Sequence, residues 1–149
     1  DDSESRGLGD VYKRQLINER SLFNNVTITG KIENIANSMS GADLVIIPSQ
    51  GHESFALTAV EAMLNKLPIV ATSIGGIPET IGKDGHCGFL VNPKDPYKFS
   101  QKISYIIDNP EFSKRMGSNG LLRASDVFDP KKMANEYCKL TRTKQKEQN

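Results

Sequence analysis

The feature that most restricts the fold of this chain is the run Val45-Ile46-Ile47 inside "DLVIIP" (43–48), three β-branched apolar residues in succession. A strand with one face in water alternates apolar and polar residues. A strand that is apolar at consecutive positions suits burial on both faces, the condition of a parallel sheet covered by helices. This strand is therefore expected to be central. Other β-rich runs, "VTIT" (26–29), "PIVAT" (68–72) and "GFLV" (88–91), are interleaved with helical patterns at about 33–41, 54–65, 96–108, 111–125 and 130–142. That alternation predicts an α/β chain, a parallel sheet with flanking helices. Pro96, Pro110 and Pro130 fall at first-turn positions, where a missing N–H costs nothing. Phe99, Ile103, Ile106 and Ile107 recur at helical spacing, as do Met133, Tyr137 and Leu140. "GGIPE" (75–79) reads as a tight turn bordering a cleft.

Totals narrow the function classes. A chain of 149 residues with 37% apolar content has room for one packed domain. A net charge of +1, from 19 basic and 18 acidic residues, offers no broad basic surface, so no nucleic-acid partner is expected. Cys87 and Cys138 are distant and form no C-x-x-C pair, and His52 and His86 are not placed as a ligand pair. Neither a metal site nor a disulfide framework is suggested, and a reduced, cytoplasmic setting fits. The apolar runs are much shorter than a membrane span. The basic residues Lys139, Arg142, Lys144 and Lys146 are read as a solvated tail, with peripheral contact at an anionic membrane left open.

Residues 1–15, "DDSESRGLGDVYKRQ", have no periodicity. Asp10 to Gln15 is what GAT GTG TAT AAG AGA CAG encodes, a string that resembles the end of a transposon-based sequencing adapter. Residues 1–15 are accordingly expected to be a non-native leader, residues 16–142 the domain, and residues 143–149 a polar tail.

Within the domain, "HESFALTAVEAM" (52–63) sets Glu53 and Glu61 at either end of a nearly apolar run. A buried carboxylate is costly unless paired or bound. Glu53 follows a parallel strand and opens a helix, at the sheet edge where α/β proteins bind ligands. The first amides of a helix from Ser54 have no intrahelical acceptors and form an anion site suited to a diphosphate. On a regular helix Glu61 lies about 12 Å further on, rotated by ~80°, so one extended ligand reaches both. A carboxylate accepts paired hydrogen bonds from vicinal hydroxyls, which a sugar nucleotide carries on its ribose and its hexose. The structural alternatives are that Glu53 caps the helix and that Glu61 pairs with Lys66 or lies on a solvent face.

The spacing E-x7-E, together with "NVTITG" (25–30), "GADLVIIPS" (41–49), "VEAMLNKLPIVAT" (60–72), "IGGIPETI" (74–81), "GFLVNPKDP" (88–96) and "NPEFSKRMG" (109–117), resembles the C-terminal domain of retaining family four (group 1) glycosyltransferases. The resemblance runs from about Leu16 to Leu140. It implies a Rossmann-like sheet, the C-terminal half of a GT-B fold, and a hexose moved from a nucleoside-diphosphate sugar to an acceptor. It implies Glu53 as the catalytic residue at the donor sugar, and the amides of Ser54, Phe55, Ala56 and Leu57 at the sugar and diphosphate. Glu61 takes the ribose, and Gly30, Lys31 and Ile32 take the base. It also implies no metal and no cofactor besides the donor substrate, an acceptor that is a glycan, lipid or small molecule, and a partner N-terminal domain of the same enzyme. Without that domain the chain is expected to be inactive. The alternative readings are a non-catalytic sugar-nucleotide-binding module or a GT-B epimerase or phosphorylase relative. Three departures stand out: Ala56 and Lys66 replace family glycines, and the family's upstream basic residues are not in this chain. Deleting residues 1–15 is expected to leave the thermal midpoint unchanged; a drop of several degrees, about 1 kcal/mol in a domain of this size, would show that they belong to the fold.

Overall fold

The computed structural model describes the backbone of residues 2–146 and the side chains of residues 11–139. The chain divides into two compact units, Asp1–Ile35 and Ala36–Asn149. The first holds helix α1 (Asp2–Glu19) followed by turns and irregular backbone. Residues 2–15, which show no periodicity in the sequence, thus supply most of a helix, although Val11 to Gln15 are all exposed. "VTIT" is not a strand: the Val26 amide donates back to the Leu22 carbonyl at 3.0 Å, and residues 26–30 are irregular. β-branched residues favour a pleated surface, but a strand exists only where a neighbour completes the ladder.

The second unit is built from α2 (Ile35–Met39), which straddles the boundary, then β1 (Val45–Ile47), α3 (Leu57–Leu64), β2 (Ile69–Thr72), α4 (Ile77–Ile81), β3 (Gly88–Val91), α5 (Pro96–Asp108), α6 (Pro110–Val127) and α7 (Pro130–Lys146). The three strands are parallel in the order β1-β2-β3, with Val45 opposite Ile69 and Val70 opposite Phe89. The expected α/β fold is present. Each anticipated first-turn proline opens its helix, and Asp95 caps α5 by accepting from the Lys98 amide at 2.9 Å. The "GGIPE" turn leads into the short helix α4, and α7 runs on to Lys146, past the expected start of the tail.

β2 is the strand buried on both faces. Ile69 and Ala71 pack with Val60 and Met63 of α3, Ile77 and Ile81 of α4, and Ala124 of α6. Val70 points the other way, into a second cluster with Phe89, Val91, Ile106 of α5 and Met116 of α6. Full burial of a side chain such as Ile69 contributes about 1.5–3 kcal/mol. The expectation that β1 is central is corrected: it lies at one edge of the described sheet, and Ile46 is 49% exposed. An unbroken apolar run shows that both faces tolerate burial, not that both are covered.

Helix α3 ends in a Schellman motif. The Leu67 amide donates to the Ala62 carbonyl at 3.0 Å and the Lys66 amide to the Met63 carbonyl at 3.0 Å, with Lys66 left-handed at φ 57°. Lys66, which replaces a family glycine, thus adopts a left-handed conformation that costs a residue with a side chain about 1–2 kcal/mol. The Lys66 carbonyl lies against Gly117 of α6, where any Cβ would overlap it, and a Cβ on Gly120 would come within 3.0 Å of the Met63 side chain. Lys66→Gly is expected to stabilise the chain by about 0.5–1 kcal/mol, the left-handed penalty less the entropy of an added glycine. Gly117→Ala is expected to destabilise it by about 1–3 kcal/mol, because α6 must move off α3. Urea unfolding at constant m-value reads both.

Candidate functional site

The carboxyl edge of the parallel sheet carries the β1–α3 loop (48–56), which is held from several sides. Thr72, the last residue of β2, is buried, and its hydroxyl donates to the Ser49 carbonyl at 2.7 Å, with the Ile47 carbonyl 3.3 Å away. The Gly76 amide donates to the Glu53 carbonyl at 2.7 Å. Gly75, at φ 53°, and Gly76 press against the backbone of Glu53 and Ser54 so closely that a Cβ on either glycine would overlap a carbonyl oxygen. The Phe55 ring meets Phe128 edge-on at 5.5 Å.

Fixed backbone leaves a free side chain. Glu53 is half-buried, and among the described residues its carboxylate has neither an ion-pair nor a hydrogen-bond partner. Glu61, in the second turn of α3, is likewise half-buried and unpaired among the described residues. Only its main-chain carbonyl is used, accepting from Asn65 Nδ2 at 2.9 Å. Lys66 is held in the helix-terminating turn and does not pair with Glu61. Glu53 lies before the helix and caps nothing, since α3 starts at Leu57 with Ala56 at its N-cap, and Glu61 keeps a partly solvent-exposed position. No fully buried polar side-chain atom lacks a partner among the described residues, so both carboxylates remain accessible. They are groups available to a ligand.

The later helix start changes the geometry expected of the pair. Only Glu61 is on the helix, about 6 Å along the axis from Leu57, and Glu53 projects from the loop. Among the described residues the amides of Ser54, Phe55 and Ala56 have no acceptor, whereas the Leu57 amide is taken by the Phe55 carbonyl at 2.9 Å. Three of the four expected donors are therefore open. Ala56 is 3% exposed and packs in the core cluster with α3 and α4, so the methyl that replaces a family glycine is directed inward. The structure thus gathers Glu53 to Leu57 and Glu61 in the second unit. Gly30, Lys31 and Ile32 are exposed residues of the first, with Gly30 left-handed at φ 66°.

The buried thiol is withdrawn. Burial pushes the Cys87 thiol above its ordinary range, and the charge of Arg123 only partly opposes this, so no thiolate is presented. His86 Nδ1 lies 3.3 Å from Cys87 Sγ, and His52 is exposed. No group of three or more His, Cys, Asp or Glu is positioned for a metal ion among the described residues. The sequence reading missed the roles of Thr72, Gly75, Gly76 and Phe128 in holding the loop. The Gly-Gly pair was the one available signal, since adjacent glycines also mark a close backbone approach.

Comparison with known proteins agrees with this architecture. The family model described as glycosyl transferases group 1 matches residues 7–123. A curated relative, the MMP alpha-(1->4)-mannosyltransferase of Mycolicibacterium hassiacum, is 41% identical over 96 residues, covering 64% of this chain and 23% of that protein. HepE of Anabaena in complex with UDP superposes with a TM-score of 0.86 at 28% identity, covering 95% of this chain and 38% of that one. Sucrose-phosphate synthase of Thermosynechococcus elongatus gives 0.81 at 31% identity, covering 87% and 33%. The chain therefore spans well under half the length of these proteins. A parallel sheet with this loop geometry and a family match over most of its length establish that the chain belongs to the glycosyl transferases group 1 family of GT-B glycosyltransferases.

Proposed function

We propose that the chain is the donor-binding half of a retaining hexosyltransferase that takes its sugar from a nucleoside diphosphate. The observation that carries this reading is the pair of accessible, unpartnered carboxylates, Glu53 and Glu61, flanking the open amides of Ser54, Phe55 and Ala56 at the carboxyl edge of a parallel sheet. The HepE structures with UDP and with UDP-glucose support a nucleotide sugar as the ligand class.

In this reading Glu61 accepts the two ribose hydroxyls, and the amides before α3 receive the diphosphate. Glu53 accepts hydroxyls of the donor sugar near its anomeric carbon, and Gly30, Lys31 and Ile32 border the base. As the bond from the anomeric carbon to the diphosphate oxygen breaks, negative charge grows on the leaving group. Fixed amide dipoles stabilise that charge without reorganising, which accounts for the reaction without a metal. The acceptor hydroxyl oxygen then bonds to the anomeric carbon on the face the diphosphate leaves, and its proton passes to the departing diphosphate oxygen. A separate N-terminal domain supplies the acceptor site.

Two experiments test the reading. Alone, the chain is expected to transfer no sugar from labelled nucleotide sugars, because acceptor domain and cleft closure are both needed; turnover above the hydrolysis background would overturn this. In the two-domain enzyme, Glu61→Ala is expected to weaken nucleoside-diphosphate binding by about 1.5–3 kcal/mol with little change in stability. Glu53→Ala is expected to lower turnover while leaving affinity for the sugar-free nucleotide nearly intact. Calorimetric titration beside a thermal melt separates the two. Normal nucleotide affinity with a much lower melting temperature in Glu61→Ala would assign that residue a structural role instead.

A further inference from the structure

Helix α6 is hydrogen-bonded to α4 through Arg123. Its Nε donates to the Thr80 carbonyl at 2.8 Å and its Nη2 to the Glu79 carbonyl at 2.6 Å. Both carbonyls lie in the last turn of α4, where helix geometry leaves acceptors unsatisfied. A guanidinium fork serves two such acceptors at once; an ammonium does not reproduce that geometry. The chain makes room for it at Gly82, left-handed at φ 81°, where a Cβ would stand 2.9 Å from the guanidinium carbon.

The other end of α4 meets the site. Thr80 is buried, and its amide and its hydroxyl each donate to the Gly76 carbonyl at 3.0 Å. The Gly76 amide in turn donates to the Glu53 carbonyl at 2.7 Å. One continuous set of hydrogen bonds therefore joins Arg123 to the backbone of Glu53, through a helix of five residues that is too short to hold its own shape. The packing of α6 on α3 does not depend on this link, since Gly117 and Gly120 make that contact at another point.

We infer that Arg123 is a positioning residue for sugar transfer: by clamping α4 it fixes the Gly75-Gly76 turn and so the direction in which Glu53 meets the donor sugar. This rests on the donor-binding reading of Glu53. It adds a determinant that touches no substrate and lies seventy positions further along the chain.

Arg123→Ala and Arg123→Lys test it, by amide exchange in this chain and by kinetics in the two-domain enzyme. In Arg123→Ala the Gly76 amide is expected to exchange at least about tenfold faster while the amides of β2 keep their protection. The kcat is expected to fall about ten- to a hundredfold, as for a catalytic group displaced by up to an ångström, with affinity for free UDP within about twofold. Arg123→Lys, which keeps the charge and one donor, is expected to fall between, and it decides on the same readouts if the alanine variant does not fold. Unchanged kcat overturns the inference, and so does equal acceleration of all amides with UDP affinity and kcat falling together. Glu53→Ala is run alongside. If it turns over normally, the donor reading itself fails; if it is inactive while Arg123→Ala is normal, only the role of Arg123 fails.

Discussion

The site depends on one contact, that between the Gly75-Gly76 turn and the backbone of Glu53 and Ser54. Two loops that follow neighbouring parallel strands emerge at the same edge of a sheet, the edge at which open α/β sheets bind ligands. Here they are pressed together, with a single amide donated across the gap. The approach is closed to any residue with a β-carbon. Its effect is to stop α3 from starting where local sequence would start it. Glu53 is held outside the helix, where its carboxylate is not drawn into capping.

The interior is arranged around that constraint. α3 has eight residues, too few for independent stability, and buries small side chains, Ala59 and Ala62, that let it lie close to the sheet and to α6. Its end is closed by a left-handed lysine, a strained choice that persists because the neighbouring carbonyl is packed on Gly117. Rigidity is thus concentrated behind the site. Two carboxylates and three amides, the last of them on the buried Ala56, are left without internal partners among the described residues.

Much of this architecture was legible where local and tertiary signals agree. α5 begins at Pro96 as read, because Asp95 caps it and the proline presets the first turn, and β2 and β3 fall within a residue of expectation. Disagreement arose where tertiary contact overrules propensity. "ESFA" looks helical, but Glu53 and Ser54 are fixed by glycines more than twenty positions later. "VTIT" looks like a strand but has no partner among the described residues, and residues 2–15 lie in a helix that their missing periodicity did not announce. The residue types of the site, Glu53 and Glu61, could be singled out because carboxylates in an apolar run demand an explanation. Nothing about an arginine in the middle of a polar helix distinguishes Arg123 from its neighbours until its fork is seen on α4.

The edge position of β1 has a colloidal side. Among the described strands it pairs only with β2, so one row of its amides and carbonyls is unsatisfied within the sheet, beside a half-exposed isoleucine. A β-branched edge of this kind is a template for strand addition by another chain, and no proline or lysine falls within it to discourage that. Any strand addition to this polypeptide would therefore begin at these three residues, a property of the edge rather than of the folded core.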